Sequence, residues 1–213
     1  MTIRKGEQWG ERLPLPRGLP SADTDAVAGR WFDSAPPGAT EQGLVLHGGD
    51  LARTLGSVRS PRPGEEATRA VIDVMALATN AGETRTAVAH VVIRAGASGN
   101  GWWRHRGRIV MVMNAQFIGD ADPTPRCHPS DGRADLLDLS ASLGFRARRQ
   151  VRSRLRTGSH LPHPLLQVSS ASTHSIEFEG PCTVLVDGEV WFHRRTGVRL
   201  AVRILPDAVV VWT

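Results

Sequence analysis

Four short segments carry residue types that could do chemistry. Val186-Asp187-Gly188-Glu189 sets two carboxylates on either side of a glycine. An Asp-Gly pair following a β-branched run is a hairpin-turn signal, and the same turn could hold a carboxylate in a cleft as a general base toward a substrate hydroxyl. Gly48-Gly49-Asp50 follows the apolar run at 43–47 and precedes Leu51 and Leu55 at helical spacing, which reads as strand, tight turn and helix. Ser130-Asp131-Gly132 is a turn in which Asp131 and neighbouring backbone carbonyls could hold a hard cation. Arg146, Arg148, Arg149, Arg152, Arg154 and Arg156 form the fourth segment, and no acid lies between residues 144 and 163.

Other constellations fail on spacing. An EF-hand starting at Asp120 would need glycine where Pro125 stands and lacks a glutamate at its last position. His160 and His163 have no convergent partners and read as exposed loop histidines. The chain has no G-x-S-x-G, Walker A or G-x-G-x-x-G pattern.

Lysine and arginine number 26 against 21 acidic residues, and removing the six clustered arginines leaves 20 against 21, so one segment holds the positive excess. Ala147, Val151 and Leu155 recur at i, i+4 and i+8, so a helix could bury that stripe and turn its arginines outward. The basic face is then either merely solvated or a contact for an anionic membrane surface. Nucleic acid is not expected, because few aromatics lie nearby for base stacking.

These segments need elements to position them. A short helix is expected over 23–32, capped by Ser21 or Asp23, after an extended arm over 1–20. From residue 65 onward the texture is that of strands: 70–77, 84–94, 108–117, 134–139, 166–170, 175–178, 183–186, 198–204 and 208–212, with Pro206-Asp207 turning the last two into a hairpin. The expected fold is mainly β with minor α, an antiparallel β-sandwich or flattened barrel plus a short α/β remnant at the amino terminus. Two cysteines without C-x-x-C, no apolar leader and no apolar run of about 20 residues favour a cytoplasmic protein, peripheral to the inner face of the membrane if it meets one.

Taken in chain order, Gly48-Gly-Asp-Leu-Ala-Arg-Thr-Leu-Gly56, 107–119, Pro125-Arg-Cys-His-Pro-Ser-Asp-Gly132, Arg156-Thr-Gly-Ser-His160, Val186-Asp-Gly-Glu189 and the closing strands resemble the bacterial diacylglycerol kinase and related lipid kinase family. That family includes sphingosine kinases and is distantly akin to NAD kinases. The resemblance covers residues 43–213. It implies a truncated nucleotide-binding α/β domain over 1–60 and a β-rich lipid-kinase domain over 61–213, with ATP and Mg2+ as cofactors. It assigns Gly48, Gly49 and Asp50 to the nucleotide loop, with His47 in place of a phosphate-facing threonine. A structural Mg2+ falls to Asp131 and the backbone carbonyls of His128 and Arg133, and deprotonation of the lipid hydroxyl to Asp187 and Glu189.

One departure matters. The family's Gly-Gly-Asp-Gly-Thr phosphate cradle is not spelled anywhere upstream of Asp50, and phosphoryl transfer depends chiefly on positioning and neutralising phosphates. Two functions stay open: ATP-dependent phosphorylation of diacylglycerol or a similar lipid, or a catalytically inactive homologue acting as a lipid- or protein-binding module. The expected partners are a lipid substrate or an anionic membrane surface, with a homo-oligomer or a partner chain completing the nucleotide half.

Overall fold

The computed structural model describes residues 10–96 and 107–213; the first nine residues of the expected arm lie outside them. The amino-terminal elements are β1 (Glu11–Pro14), β2 (Ser21–Ala22), α1 (Asp25–Ser34), α2 (Ala39–Gln42), β3 (Leu44–Leu46) and α3 (Asp50–Thr54). Next come β4 (Glu66–Thr79), β5 (Thr84–Ala87), β6 (His90–Ala95), β7 (Ile109–Met113), β8 (Ala134–Leu139) and α4 (Phe145–Leu155). The chain closes with β9 (Leu166–Ala171), β10 (Thr173–Phe178), β11 (Cys182–Val186), β12 (Glu189–Arg194) and β13 (Val198–Trp212).

Two sheets result, and neither closes into a barrel. The first runs β1-β4-β13-β3-β2, with β10 also on β13 and β5 also on β4; the second runs β12-β11-β6-β7-β8-β9 and is antiparallel throughout. Among the described residues, parallel pairing occurs only where β3 joins β13 and β2 joins β3. The mainly-β expectation stands in its sandwich form.

The long antiparallel ribbon of β4 and β13 is the spine. Met75, Leu77, Leu200, Val202 and Ile204 on one half face Val91, Ile93, Val110 and Val112 of the second sheet and make the sandwich core. Ala70, Ile72, Val74 and Val211 on the other half pack against Ala28 of α1 and Leu51 and Ala52 of α3. The expected hairpin at Pro206-Asp207 is a correction: both flanking halves stay paired with β4, and the register shifts between Leu205 and Val209. The extra residues bulge out because Asp73 of β4 accepts a hydrogen bond from the Asp207 N–H at 2.9 Å, holding Asp207 at φ 50°.

Other expectations shift similarly. The strand read over 84–94 breaks at Val88-Ala89, because β5 pairs with β4 in the first sheet and β6 pairs with β7 and β11 in the second. Thr24, rather than Ser21 or Asp23, caps α1, its hydroxyl accepting from the Val27 N–H. His160 is buried and its Nε2 lies 3.0 Å from the Pro123 carbonyl, so it is a core histidine and not an exposed one.

Helix α4 forms where the apolar stripe required it. Val151 and Leu155 are buried and Ala147 packs beside them on the outer face of the second sheet, against Met111, Met113 and Leu137. Arg148 departs from the outward-facing expectation: its guanidinium turns back to donate to the carbonyls of Leu143, Gly107 and Ser140.

Candidate functional site

The site begins with the strand that changes sheets. Between β5 and β6 the N–H groups of Val88, Ala89 and His90 come in succession, and a buried donor without an acceptor is costly. The Asp187 carboxylate accepts all three, at 2.9, 2.9 and 3.0 Å. Asp187 returns its own N–H to the His90 carbonyl, and it holds φ 51° at the turn into β12. Only 7% of Asp187 is exposed. Gly29 of α1 lets that helix close over the carboxylate, since a Cβ there would lie 3.1 Å from Asp187 Oδ2. Burial pushes the Asp187 carboxyl upward, against the pull of His90 and of the three N–H donors.

Strands β2 and β3 end side by side and lead into α1 and α3, the crevice in which open α/β sheets take ligands. Here a side chain of the chain itself fills it. Asp25, the first residue of α1, accepts from the N–H groups of Asp50 and Leu51 at the start of α3, at 2.6 and 3.2 Å. Gly49 is obligatory: it adopts φ 100° and ψ 173°, and a Cβ would sit 2.3 Å from Asp25 Oδ1. Burial and the neighbouring Asp187 raise the Asp25 carboxyl to about 7.

Asp50 is equally engaged. Its Oδ1 accepts from the Gly119 N–H at 2.8 Å and its Oδ2 lies 2.9 Å from His90 Nε2. Burial alone would lower the His90 pKa, but the hydrogen bond to Asp50 and the charges of Asp187 and Asp25 carry it upward. Glu189 lies just beyond, half exposed, between Arg30 and Arg85 in ion pairs.

Sequence-predicted residues therefore divide. Asp50 and Asp187 are brought to one cluster, joined by Asp25 and His90, and Glu189 stands at its rim. Gly48 and Gly49 form the adjoining turn. Asp131 is exposed, its Oδ1 accepting from the Arg133 N–H, and lines a separate groove; His128 accepts from the Ser130 N–H, and the Arg133 guanidinium binds Ser170. That turn is anchored by the buried Asp73, whose carboxylate takes the N–H of Gly132 at 2.7 Å. Asp25, His90 and Asp73 were missed. The only signals were an acid just after Thr24 at a helix start and lone polar residues in the apolar runs of β4 and β6.

Among the described residues, Asp25, Asp50 and His90 are the group whose ligand atoms come within 4.8 Å of one another. The family resemblance of the sequence implies ATP and Mg2+, yet this donor set does not fit nucleotide-bound Mg2+. Imidazole suits transition metals better than magnesium, which keeps several waters and takes oxygen ligands. Both Asp25 oxygens and one Asp50 oxygen already accept main-chain N–H groups.

The groove lined by Asp131 has a volume of about 980 Å³. Its apolar lining is Pro125, Leu161, Pro162, Pro164, Leu166 and Val168, with Arg126, His163 and Asp135 also facing it.

No protein-family model and no curated protein matches the chain. Solved structures do. A putative diacylglycerol kinase from Bacillus anthracis str. Sterne superposes with a TM-score of 0.55 at 14% identity, covering 79% of this chain and 69% of that one. A second structure of that description gives 0.52 at 13% identity, covering 79% and 68%. The fold is diacylglycerol kinase-like. In this lipid-kinase fold the acids of the Val186–Glu189 turn and of the Gly48–Asp50 turn meet across the ends of β3 and β11, although about 140 residues of sequence separate them. Among the described residues no helix is long and apolar enough to cross a membrane.

Proposed function

We propose that the chain is a catalytically silent version of the lipid-kinase fold, acting as a lipid-binding module. One observation carries this reading: Asp187, one of the two carboxylates expected to serve as base, is 7% exposed and accepts three backbone N–H groups. A general base must reach the proton that it abstracts, and this one faces inward. The amides of Asp50 and Leu51, at the start of α3, are likewise committed to Asp25 instead of a phosphate. Glu189 is the more open carboxylate, but its ion pairs with Arg30 and Arg85 hold it at the rim without supplying a phosphate cradle.

Lipid is favoured as the ligand class by the apolar groove, whose volume lies within the roughly 300–1,000 Å³ of small-molecule sites. The test is a phosphoryl-transfer assay with labelled ATP, Mg2+ and diacylglycerol in mixed micelles, beside ATP calorimetry. No transfer and no saturable ATP binding are expected. Stoichiometric labelling of the lipid would restore the kinase reading.

A further inference from the structure

Helix α4 shows solvent a second stripe, opposite the one it buries. Phe145, Arg149, Arg152 and Arg156 recur at spacings of four, three and four residues, which aligns them along one side, with Arg146 flanking. Phe145 is 76% exposed. An aromatic ring held in water at the end of an arginine row has the composition of an interfacial helix, whose ring enters the headgroup boundary while the cations meet lipid phosphates. Charge complementarity points the same way, since no acid lies between residues 144 and 163 and the rest of the chain sums to −1.

Shape selects among anionic partners. Val151 and Leu155 hold α4 flat against the second sheet, so it presents a shallow strip about 16 Å long at 1.5 Å per residue. A strip of that form can lie on a plane, and its one aromatic offers little for base stacking. Arg156 is paired with Asp120 and Arg152 also acts on that carboxylate, so Arg146 and Arg149 are the leading cations of the contact and Arg152 divides its charge between Asp120 and the lipid. Gly158, just beyond the helix, lines the apolar groove, so the groove opens near the carboxyl end of α4.

We infer that the Phe145–Arg152 face of α4 docks the protein on the anionic leaflet of a bilayer, with Phe145 inserted and Arg146, Arg149 and Arg152 on lipid phosphates. The inference rests on the lipid-binding reading only for the class of partner.

Co-sedimentation of the full chain with phosphatidylcholine vesicles, with and without phosphatidylglycerol, tests it at low and high salt. Binding is expected only to the anionic vesicles and only at low salt, because exposed charges are screened. Replacing Arg146, Arg149 and Arg152 together by Gln should weaken binding on the order of a hundredfold, at about 1 kcal/mol per arginine. Phe145→Ser should weaken it about tenfold. Thermal unfolding of each variant checks the fold, and Arg149→Gln alone serves as the comparison if the triple variant melts early. Undiminished binding by a folded variant, equal binding to neutral vesicles, or a stronger arginine-dependent preference for duplex DNA or RNA would overturn the assignment. Lipid phosphorylation by the wild type would overturn catalytic silence alone, so the two readings fail separately.

Discussion

The cluster of Asp25, Asp50, His90 and Asp187 gathers four ionisable side chains, three of them almost wholly hidden from water, whereas α4 exposes most of its arginines and hides only a narrow apolar stripe. The cluster has the residue types of phosphoryl-transfer chemistry, but its carboxylates are turned inward onto main-chain N–H groups and His90. The helix has no catalytic residue and a surface that is still open. Residue type therefore says little about activity until the partners of each polar atom are counted. A buried carboxylate that accepts three main-chain donors is a structural staple, even inside a Val-Asp-Gly-Glu turn.

The largest effect that could break this contrast is expected at Asp187. Replacing it with Ala strands three N–H groups in the interior, and stability should fall by about 3–5 kcal/mol. Urea unfolding measures this directly. A variant that kept its unfolding midpoint while losing a lipid-phosphorylating activity would show Asp187 to be a base and the cluster an active site.

Next in size is a pH dependence centred on Asp25. The Asp25 carboxyl is raised to about 7 in the folded protein, from an ordinary value of 3.8. Between those values the folded state holds a proton that the unfolded state has released, so stability is greatest below about 4 and is lost as the pH rises through 7. His90, also raised, adds to the same direction of change. The expected loss is on the order of a few kcal/mol. Asp25→Asn, which keeps an oxygen for the α3 amides and cannot ionise, should flatten the curve. A wild-type unfolding midpoint that rises from pH 5 to 8 contradicts the burial of this charge.

How much of this was legible in the sequence follows from how local each cause is. Alternation in Val198–Ile204 and the i, i+4, i+8 stripe of Ala147, Val151 and Leu155 are local patterns, and the strand and helix they predict are present. Pro206-Asp207 reads as a chain reversal, yet it is a bulge, because the deciding partner is Asp73, more than 130 positions away. The cluster is still less visible. Asp187 stands in a recognisable turn, but its acceptor role depends on a strand break at Val88-Ala89 that apolar continuity conceals. Asp25 and His90 are single polar residues whose meaning exists only once β2, β3 and β6 are brought together.

A smaller change probes how tightly the cluster is filled. Gly49→Ala places a methyl group against the Asp25 carboxylate, 2.3 Å from Oδ1, at a backbone conformation reserved for glycine. The cost should be about 2–3 kcal/mol. Gly56→Ala, at a positive φ where the added methyl would meet nothing within 4 Å, is the control for strain without a clash and should cost less. Equal losses in the two would mean that Asp25 moves aside freely and that the crevice can open to a ligand.

The smallest effects separate two neighbours on α4. Arg148 donates to the carbonyls of Leu143, Gly107 and Ser140, tying the helix start to the loops beside it, whereas Arg149 projects into solvent. Arg148→Gln shortens the side chain below the reach of these acceptors and should lower stability by about 1 kcal/mol. Arg149→Gln removes an exposed charge from a helix crowded with like charges, so its effect on stability should stay within about 0.5 kcal/mol. On anionic vesicles the order should reverse, because Arg149 lies on the docking stripe and Arg148 is turned away from it. Thermal unfolding and vesicle sedimentation of the two variants together give that crossed pattern. If Arg148→Gln weakens vesicle binding more than Arg149→Gln at equal stability, the contact lies along the edge of α4 toward Gly107 and the stripe from Phe145 to Arg152 is not the docking face.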